Sequence, residues 1–145
     1  MTRILLIQGA NMSWLGRRTP ELYGTTTAAE LDAIVQDHAR AAGYDLEIFY
    51  TDLEGEAIRR VHQAVDDGVD GLVMNPAGFV HAGKALRDCI LDCADLPYVE
   101  VHMTNLETRD LRSVLAEAAD GLVMGFGTDS YLLGLDAMLG LLTRR

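Results

Sequence analysis

Lysine is almost absent from this chain: Lys84 is the only one among 145 residues, and the net charge is −10. Nucleic acids and anionic membranes are bound by proteins with a basic surface, so the composition argues against both as partners. Schiff-base chemistry would depend on Lys84 alone, at the start of a predicted helix. A small anionic substrate is compatible with this balance, because a few converging arginines can reverse the local charge.

Long apolar runs are also missing, since none approaches the roughly 20 residues needed to cross a bilayer. The first residues lead directly into an apolar strand rather than a signal peptide, so we expect a cytoplasmic location. The two cysteines, Cys89 and Cys93, lie four residues apart in a helical segment, which is a poor geometry for a disulfide. We expect both to be reduced core residues. No spacing of His, Cys and Asp resembles a metal site.

Short apolar runs alternate with amphipathic segments along the whole chain, which predicts one domain covering residues 1–145. The predicted strands are Arg3–Gln8, Leu46–Tyr50, Leu72–Asn75, Pro97–His102 and Gly121–Gly125. Between and after them we predict helices at Thr27–Gly43 (with a Thr27–Glu30 capping box), Glu54–Asp67 and Gly83–Cys93, a short helix ending at Ala119, and Ser130–Leu142.

This alternation indicates a parallel sheet with helices on both faces. For this length we predict an α/β, flavodoxin-like three-layer sandwich with strand order 2-1-3-4-5. The last predicted helix is apolar almost all round, which exceeds what one sheet can cover. Such a helix is either deeply buried or part of an oligomer contact, and we favour the contact.

The segment from Gln8 to Gly24 is unusually long for a link between a strand and a helix, since such links are typically about two to six residues. It contains Asn11, Arg17, Arg18 and Tyr23, all able to act on a polar ligand. We therefore predict a mobile active-site loop. The two arginines are adjacent and point in different directions, so we expect only one of them to face the site.

Polar residues follow three of the predicted strands, at the edge where ligands bind in open α/β sheets. Strand one is followed by Gly9-Ala-Asn11, strand three by the segment from Asn75 to His81, and strand four ends in the segment from Glu100 to Asn105. Amide, imidazole, carboxylate and hydroxyl groups should therefore meet at one edge of the sheet.

Glu100 and His102 are two residues apart on a strand and so share a face. A carboxylate beside an imidazole fixes its tautomer and favours the protonated form, as a general acid requires; a solvated charge pair is the alternative. His81 could bind a ligand or simply precede a helix. His38 and His62 lie on helix faces, and we interpret them as structural.

Tyr23 lies near two arginines, and a neighbouring cation favours a phenolate. A phenolate is strong enough to remove a proton α to a carbonyl group. The alternative is a tyrosine that only packs its ring under the loop.

Other ligand-binding classes lack their motifs. Gly9-Ala-Asn11 has no G-x-G-x-x-G pattern for a dinucleotide, and Gly125-Phe-Gly127 is only a partial match in the wrong place. A phosphorelay receiver would need acidic residues where Gln8 and Asn75 stand. A flavin site would need a loop after strand one that is rich in serine and threonine.

The chain resembles the type II 3-dehydroquinate dehydratases over nearly its whole length. The most specific matches are the L-G-x-R-x-P-x-x-Y-G pattern at residues 15–24 and the E-V-H pattern at residues 100–102. Further matches are Gly9-Ala-Asn11, Glu54-Gly-Glu56, Asn75-Pro, His81, Arg87-Asp88 and Tyr131-Leu-Leu.

The resemblance implies a trans elimination of water from 3-dehydroquinate, through an enolate, to 3-dehydroshikimate, without metal or organic cofactor. It implies that Tyr23 removes the C2 proton with Arg18 beside it. Asn11 would position a water on the enolate oxygen. His102, held by Glu100, would protonate the departing C1 hydroxyl.

The resemblance also implies residues for substrate binding and for assembly. These enzymes form trimers that assemble into dodecamers, and they serve aromatic (shikimate) or quinate metabolism. The implied binding residues are Asn75, Met103 and Thr104 for the carboxylate, and His81, Arg109 and, from a neighbouring subunit, Asp88 for the ring hydroxyls or the lid.

Several positions depart from the family pattern. Gln8-Gly-Ala-Asn11 replaces N-G-P-N, and Val80-His81-Ala82-Gly83 replaces T-H-T-S, with the loss of two hydroxyls. Glu107 stands where the family has a histidine, and the segment at residues 109–113 is shortened. Two alternatives therefore stay open: a related dehydratase for a modified dehydroquinate-like cyclohexanone, and a non-catalytic binding homologue.

Overall fold

The computed structural model describes residues 1–145, and its centre is a five-stranded sheet with the order β2-β1-β3-β4-β5. All neighbouring strands are parallel. This confirms the predicted flavodoxin-like α/β architecture. The strands are β1 (Arg3–Ala10), β2 (Asp45–Tyr50), β3 (Gly71–Ala77), β4 (Tyr98–His102) and β5 (Gly121–Met124).

Strand β1 is buried on both faces because it lies inside the sheet, between β2 and β3. Its side chains alternate between two apolar clusters: Ile4 and Leu6 face one, and Leu5 and Ile7 face the other. An uninterrupted apolar run is what a parallel strand buried on both faces requires.

The helices divide between the two faces of the sheet and so complete the three layers. Helices α2 and α5 pack in the first cluster, and α3 and α4 pack in the second. None of the helices is both long enough and apolar enough to cross a membrane. The helices are α1 (Pro20–Tyr23), α2 (Ala28–Ala42), α3 (Glu54–Asp66), α4 (Lys84–Asp92) and α5 (Asp129–Arg144).

Helix α2 begins and ends where the sequence predicts. The Thr27 hydroxyl accepts the Glu30 N–H, the Glu30 carboxylate accepts the Thr27 N–H, and Gly43 closes the helix in the left-handed conformation. This capping box satisfies backbone donors that the first turn leaves unpaired. The predicted short helix before β5 is only a 3-10 turn at Ala116–Ala118.

Helix α5 buries one side of its apolar surface. Tyr131, Leu135 and Met138 are fully buried, whereas Leu133 is 45% exposed. Leu132, Leu139, Leu141 and Leu142 are partly buried against the first cluster. The sheet therefore covers more of this helix than its composition suggested, and the oligomer contact stays a prediction.

Replacement of Gly134 by alanine should destabilise the fold. Gly134 lies where α5 meets β4, and a Cβ at this position would collide with Cγ1 of the buried Val101. Overpacking of this kind costs about 1–3 kcal/mol. Gly140→Ala is the matched control: a Cβ there meets only the end of the Arg144 side chain, and alanine is about 1 kcal/mol better than glycine in a helix. Urea unfolding should show opposite signs for the two variants, and equal shifts would contradict this account.

Candidate active site

One cleft opens at the carboxyl edge of the sheet, where the sequence predicts that polar residues converge. Eight of the eleven predicted site residues line it. They come from the loop after β1, the end of β3 and the end of β4, as the strand order requires. These eight are Arg18, Tyr23, Asn75, His81, His102, Met103, Thr104 and Arg109.

The long loop after β1 is folded over this cleft. It begins at Asn11, because β1 continues to Ala10, two residues past the predicted end of the strand at Gln8. Buried Met12 and Leu15 anchor it to the core, and the one-turn helix α1 carries Tyr23 at its end. The mobility of this loop stays a prediction.

The two adjacent arginines point in different directions, which confirms that only one faces the cleft. The Arg17 guanidinium lies 4.0 Å from the ring centroid of exposed Trp14. Arg18 instead lines the cleft. A loop that turns one arginine outward and one inward thus supplies a single positive charge to the site.

Tyr23 is half-buried and faces two guanidinium groups. Nη2 of Arg18 donates to the Tyr23 hydroxyl oxygen over 3.4 Å, and the Arg18 Cζ atom lies 4.4 Å from the ring centroid. The Cζ atom of Arg109 lies 5.8 Å from the same centroid. Cations at these distances stabilise negative charge on the phenol oxygen.

The other four tyrosines are unsuited to act as a base at neutral pH. Burial is the largest cause that raises the pKa of Tyr44, Tyr50, Tyr98 and Tyr131 above the ordinary value of a phenol. These phenols are therefore neutral hydrogen-bonding groups, and Tyr23 is the phenol that combines access to the cleft with nearby cations.

A buried chain of three side chains supports the site, and only its His102 lines the cleft. The Tyr98 hydroxyl donates to Oε1 of Glu100 over 2.7 Å, and Nε2 of His102 donates to Oε2 of Glu100 over 2.7 Å. Glu100 is completely buried, and His102 is 4% exposed. A buried carboxylate is stable only with such partners, and the bond from Glu100 fixes the orientation of the His102 ring. Nδ1 of His102 is left for a ligand.

Asn75 is held in place by bonds on both ends of its amide. Its Oδ1 accepts the Ala77 N–H over 3.0 Å, and its Nδ2 donates to the Tyr131 hydroxyl over 2.8 Å. Tyr131 in turn donates to Oε1 of Gln8 over 2.7 Å. The second Nδ2 hydrogen faces only the Met12 sulfur at 3.6 Å, which is a weak acceptor. This hydrogen can therefore be given to an anionic ligand.

The rim of the cleft combines polar and apolar groups. Nη1 of Arg109 donates to the Thr104 hydroxyl over 3.1 Å, and exposed His81 lines the same cleft. Val80, Leu106 and Leu111 also line the cleft. The Val80 side chain stands where the family pattern has a hydroxyl, so this wall is less polar than the resemblance implies.

Three predicted site residues do not line the cleft of their own chain. Glu100 lies behind His102. Asn11 is exposed at the loop entrance, where its N–H donates to the Asp52 carboxylate over 2.8 Å. Asp88 lies on α4, where Arg87 contacts its carboxylate. The parts proposed for Asn11 and Asp88 stay predictions.

Backbone strain is concentrated beside the site. Asn11, Thr19, Ala77 and Asp110 have positive φ angles of 73°, 32°, 48° and 49°. All four lie in or next to segments that line the cleft. Strained residues of this kind persist where the surrounding structure over-determines them, and they cluster at functional sites.

Two residues that support the site, Tyr98 and Tyr131, had no role predicted from the sequence. Tyr98 was detectable, because it lies two residues before Glu100 and therefore on the same strand face. Tyr131 was not detectable from the pattern, since its hydroxyl group lies in an apolar helix and its partners are far away along the chain. Only its place in the family resemblance singled it out.

A parallel sheet of order 2-1-3-4-5 with an acid–base cleft at its carboxyl edge defines a flavodoxin-like α/β enzyme. The family described as dehydroquinase class II matches residues 2–139. The chain belongs to the class II dehydroquinase family.

Named relatives agree with this assignment. A 3-dehydroquinate dehydratase of Xanthomonas euvesicatoria pv. vesicatoria is 42% identical over 147 residues, which covers 99% of each protein. One from Desulforudis audaxviator is 46% identical over 98% of this chain and 95% of its own length. The type II dehydroquinase structure from Propionibacterium acnes superposes with a TM-score of 0.89 at 35% identity, covering 99% of this chain and 97% of that one.

Proposed function

We propose that the cleft removes water from 3-dehydroquinate in two steps, with Tyr23 as the base and His102 as the acid. The chain is a 3-dehydroquinate dehydratase, a hydro-lyase of the shikimate pathway. The observation that supports this division of roles is that a phenol contacted by a guanidinium and an imidazole held by a carboxylate line the same cleft.

In the first step, the phenolate of Tyr23 takes the C2 proton, which the neighbouring C3 ketone acidifies. The electron pair moves onto the ketone oxygen and forms an enolate. Arg18, which contacts the Tyr23 oxygen, is proposed to stabilise the phenolate that takes this proton. Asn11 is proposed to hold a water on the enolate oxygen, because donors aimed at a developing oxyanion lower the barrier.

In the second step, the enolate reforms the ketone and expels the C1 hydroxyl. Nδ1 of His102 protonates this hydroxyl, so that water leaves and the C1–C2 double bond of 3-dehydroshikimate forms. Glu100, which accepts from Nε2 of His102, is proposed to stabilise the imidazolium that gives this proton. Each positioned acid or base of this kind typically contributes about 10²–10⁴-fold in rate.

We propose that Asn75, with the Met103–Thr104 backbone and the Thr104 hydroxyl, binds the substrate carboxylate. The bond from Asn75 to Tyr131 fixes the amide, and the second hydrogen, which has only the weak Met12 sulfur acceptor, is left for the ligand. Arg109 and His81 are proposed to hold the ring hydroxyls or the closed loop.

We also propose self-association as trimers that form a dodecamer, in which Asp88 reaches the cleft of a neighbouring chain. Support comes from apolar side chains left exposed around β5 and α5, namely Leu122, Phe126 and Leu133. Sedimentation should therefore give a mass twelve times 15.8 kDa, or three times 15.8 kDa where the trimers separate, whereas a stable monomer would contradict the part given to Asp88.

Turnover of 3-dehydroquinate tests the proposal directly. The purified chain should generate the enone absorbance of 3-dehydroshikimate without added metal or cofactor. No turnover at millimolar substrate would contradict this activity. Turnover only of an analogue with fewer ring hydroxyls would support the related dehydratase, in keeping with the apolar wall formed by Val80, Leu106 and Leu111.

A further inference from the structure

Two thiols and one imidazole converge between helices α3 and α4, away from the active site. A ring nitrogen of His62 and the sulfur atoms of Cys89 and Cys93 all lie within 4.8 Å of one another. His62 is on α3, Cys89 is in α4, and Cys93 directly follows α4. The pattern of spacings in the sequence did not reveal this group, because it forms only when the two helices pack together.

The thiol–imidazole cluster (His62, Cys89 and Cys93) lies at the amino edge of the sheet, because helices α3 and α4 end there. Cys93 lines a surface cavity of ≈ 340 Å³ together with Val69, which precedes β3. The catalytic cleft opens at the opposite edge. The elimination reaction therefore makes no use of these three residues.

Packing against the second apolar cluster accounts for the two cysteines in part but not for His62. Cys89 is buried, and its Sγ atom makes a weak contact with the Ile58 carbonyl at 3.9 Å. Cys93 is half-buried, and His62 is exposed. Two accessible ligand atoms, on His62 and Cys93, thus lie beside the buried sulfur of Cys89. An ion can therefore enter the cluster from solvent, as a metal site requires.

The charge balance at the cluster favours a divalent cation. Cys89 is buried and Cys93 is half-buried, so a net charge left at the cluster would be costly. A divalent ion that takes two thiolates and one neutral imidazole forms a group of zero net charge, which a partly buried place accepts. A monovalent ion would leave a net negative charge there.

We propose that His62, Cys89 and Cys93 bind one thiophilic divalent cation, with Zn²⁺ as the ordinary occupant. Thiolate and imidazole are the ligands that Zn²⁺ prefers, at about 2.3 Å and 2.0–2.1 Å. Binding replaces the two thiol protons, which are released to solvent. A water from the adjoining cavity takes the fourth position, and the Asp92 and Asp95 carboxylates at that cavity attract the cation. The ion joins α3 to α4.

Titration of the reduced, substrate-free protein with Cd²⁺ tests this site, because cadmium–thiolate bonds absorb in the ultraviolet. We expect saturation at one ion per chain, release of two protons per ion, and loss of the absorption when Zn²⁺ is added. Zn²⁺ should also raise the melting temperature. No saturable absorption, or half an ion per chain, would overturn the proposal.

Variants separate a three-ligand site from simple capture by two thiols. His62→Ala should keep the full absorption, because both thiolates remain. It should weaken Cd²⁺ binding by about 10–100-fold or more, since loss of a group that only supports a metal ligand already has an effect of that size. Cys93→Ser, at a half-buried position that tolerates the change, should halve the absorption. His38→Ala is the matched control, since His38 bonds Tyr44 and Asp136 instead, and it should bind as the parent does. Unchanged affinity in His62→Ala would overturn the assignment of the imidazole.

Discussion

Tyr23→Phe should lower kcat by about 10²–10⁴-fold, the range that a positioned base contributes. The variant keeps the ring that lies under the Arg18 guanidinium and loses only the oxygen that accepts from Arg18. Without that oxygen, no group takes the C2 proton. Exchange of the C2 hydrogen with deuterium from solvent should therefore fall by the same factor as turnover.

Tyr44→Phe is the matched control for this experiment. It removes a phenol oxygen that is hydrogen-bonded to His38. Tyr44 directly precedes β2 and is remote from the cleft. Its kcat should equal that of the parent chain, although its thermal stability falls, because the His38 ring nitrogen loses a partner. Equal turnover by Tyr23→Phe and the parent chain would remove Tyr23 from the mechanism.

His102→Gln should also lower kcat by about 10²–10⁴-fold, but with a different isotope signature. Glutamine keeps an amide N–H for the buried Glu100 carboxylate, yet it has no proton to give to the leaving hydroxyl. The enolate should still form and return to substrate. Half-buried Tyr23 exchanges its proton with solvent, so enzyme-dependent C2 exchange should persist while elimination is lost.

The persistence of exchange is the internal control for folding, since an unfolded variant would show neither reaction. Loss of exchange and elimination together, in a variant that unfolds at the parent temperature, would contradict the assignment of separate steps to Tyr23 and His102. Turnover at the parent rate would show that another group supplies the proton.

The fold was predictable because local and global signals agree. Apolar runs such as Leu72–Asn75 are short and uninterrupted, as buried parallel strands require, and the Thr27–Glu30 capping box marks the start of α2. Helix α1 was missed because four residues are too few to show a 3.6-residue period. The end of β1 was misplaced by two residues, since Gly9 and Ala10 carry no strand signal.

The site was predictable wherever the order of residues and strands along the chain determines which side chains lie close together. Glu100 and His102 share a strand face, and the carboxyl ends of β1, β3 and β4 must meet at one edge. Arg18 rather than Arg17 contacts Tyr23. Which of the two does so depends on how the loop folds, which the sequence pattern does not give. The thiol–imidazole cluster depends on the packing of two helices, which the spacing of residues along the chain does not encode.

The hydrogen bonds of Tyr131 make the active site a late product of protein synthesis. Its hydroxyl reaches 123 residues back along the chain to Gln8 and 56 residues back to Asn75. Until α5 leaves the ribosome and docks, the Asn75 amide, which we propose binds the substrate carboxylate, has no phenol to orient it. A nascent chain with its sheet already assembled but without α5 would lack this pair of hydrogen bonds, so we expect full turnover only after α5 has docked.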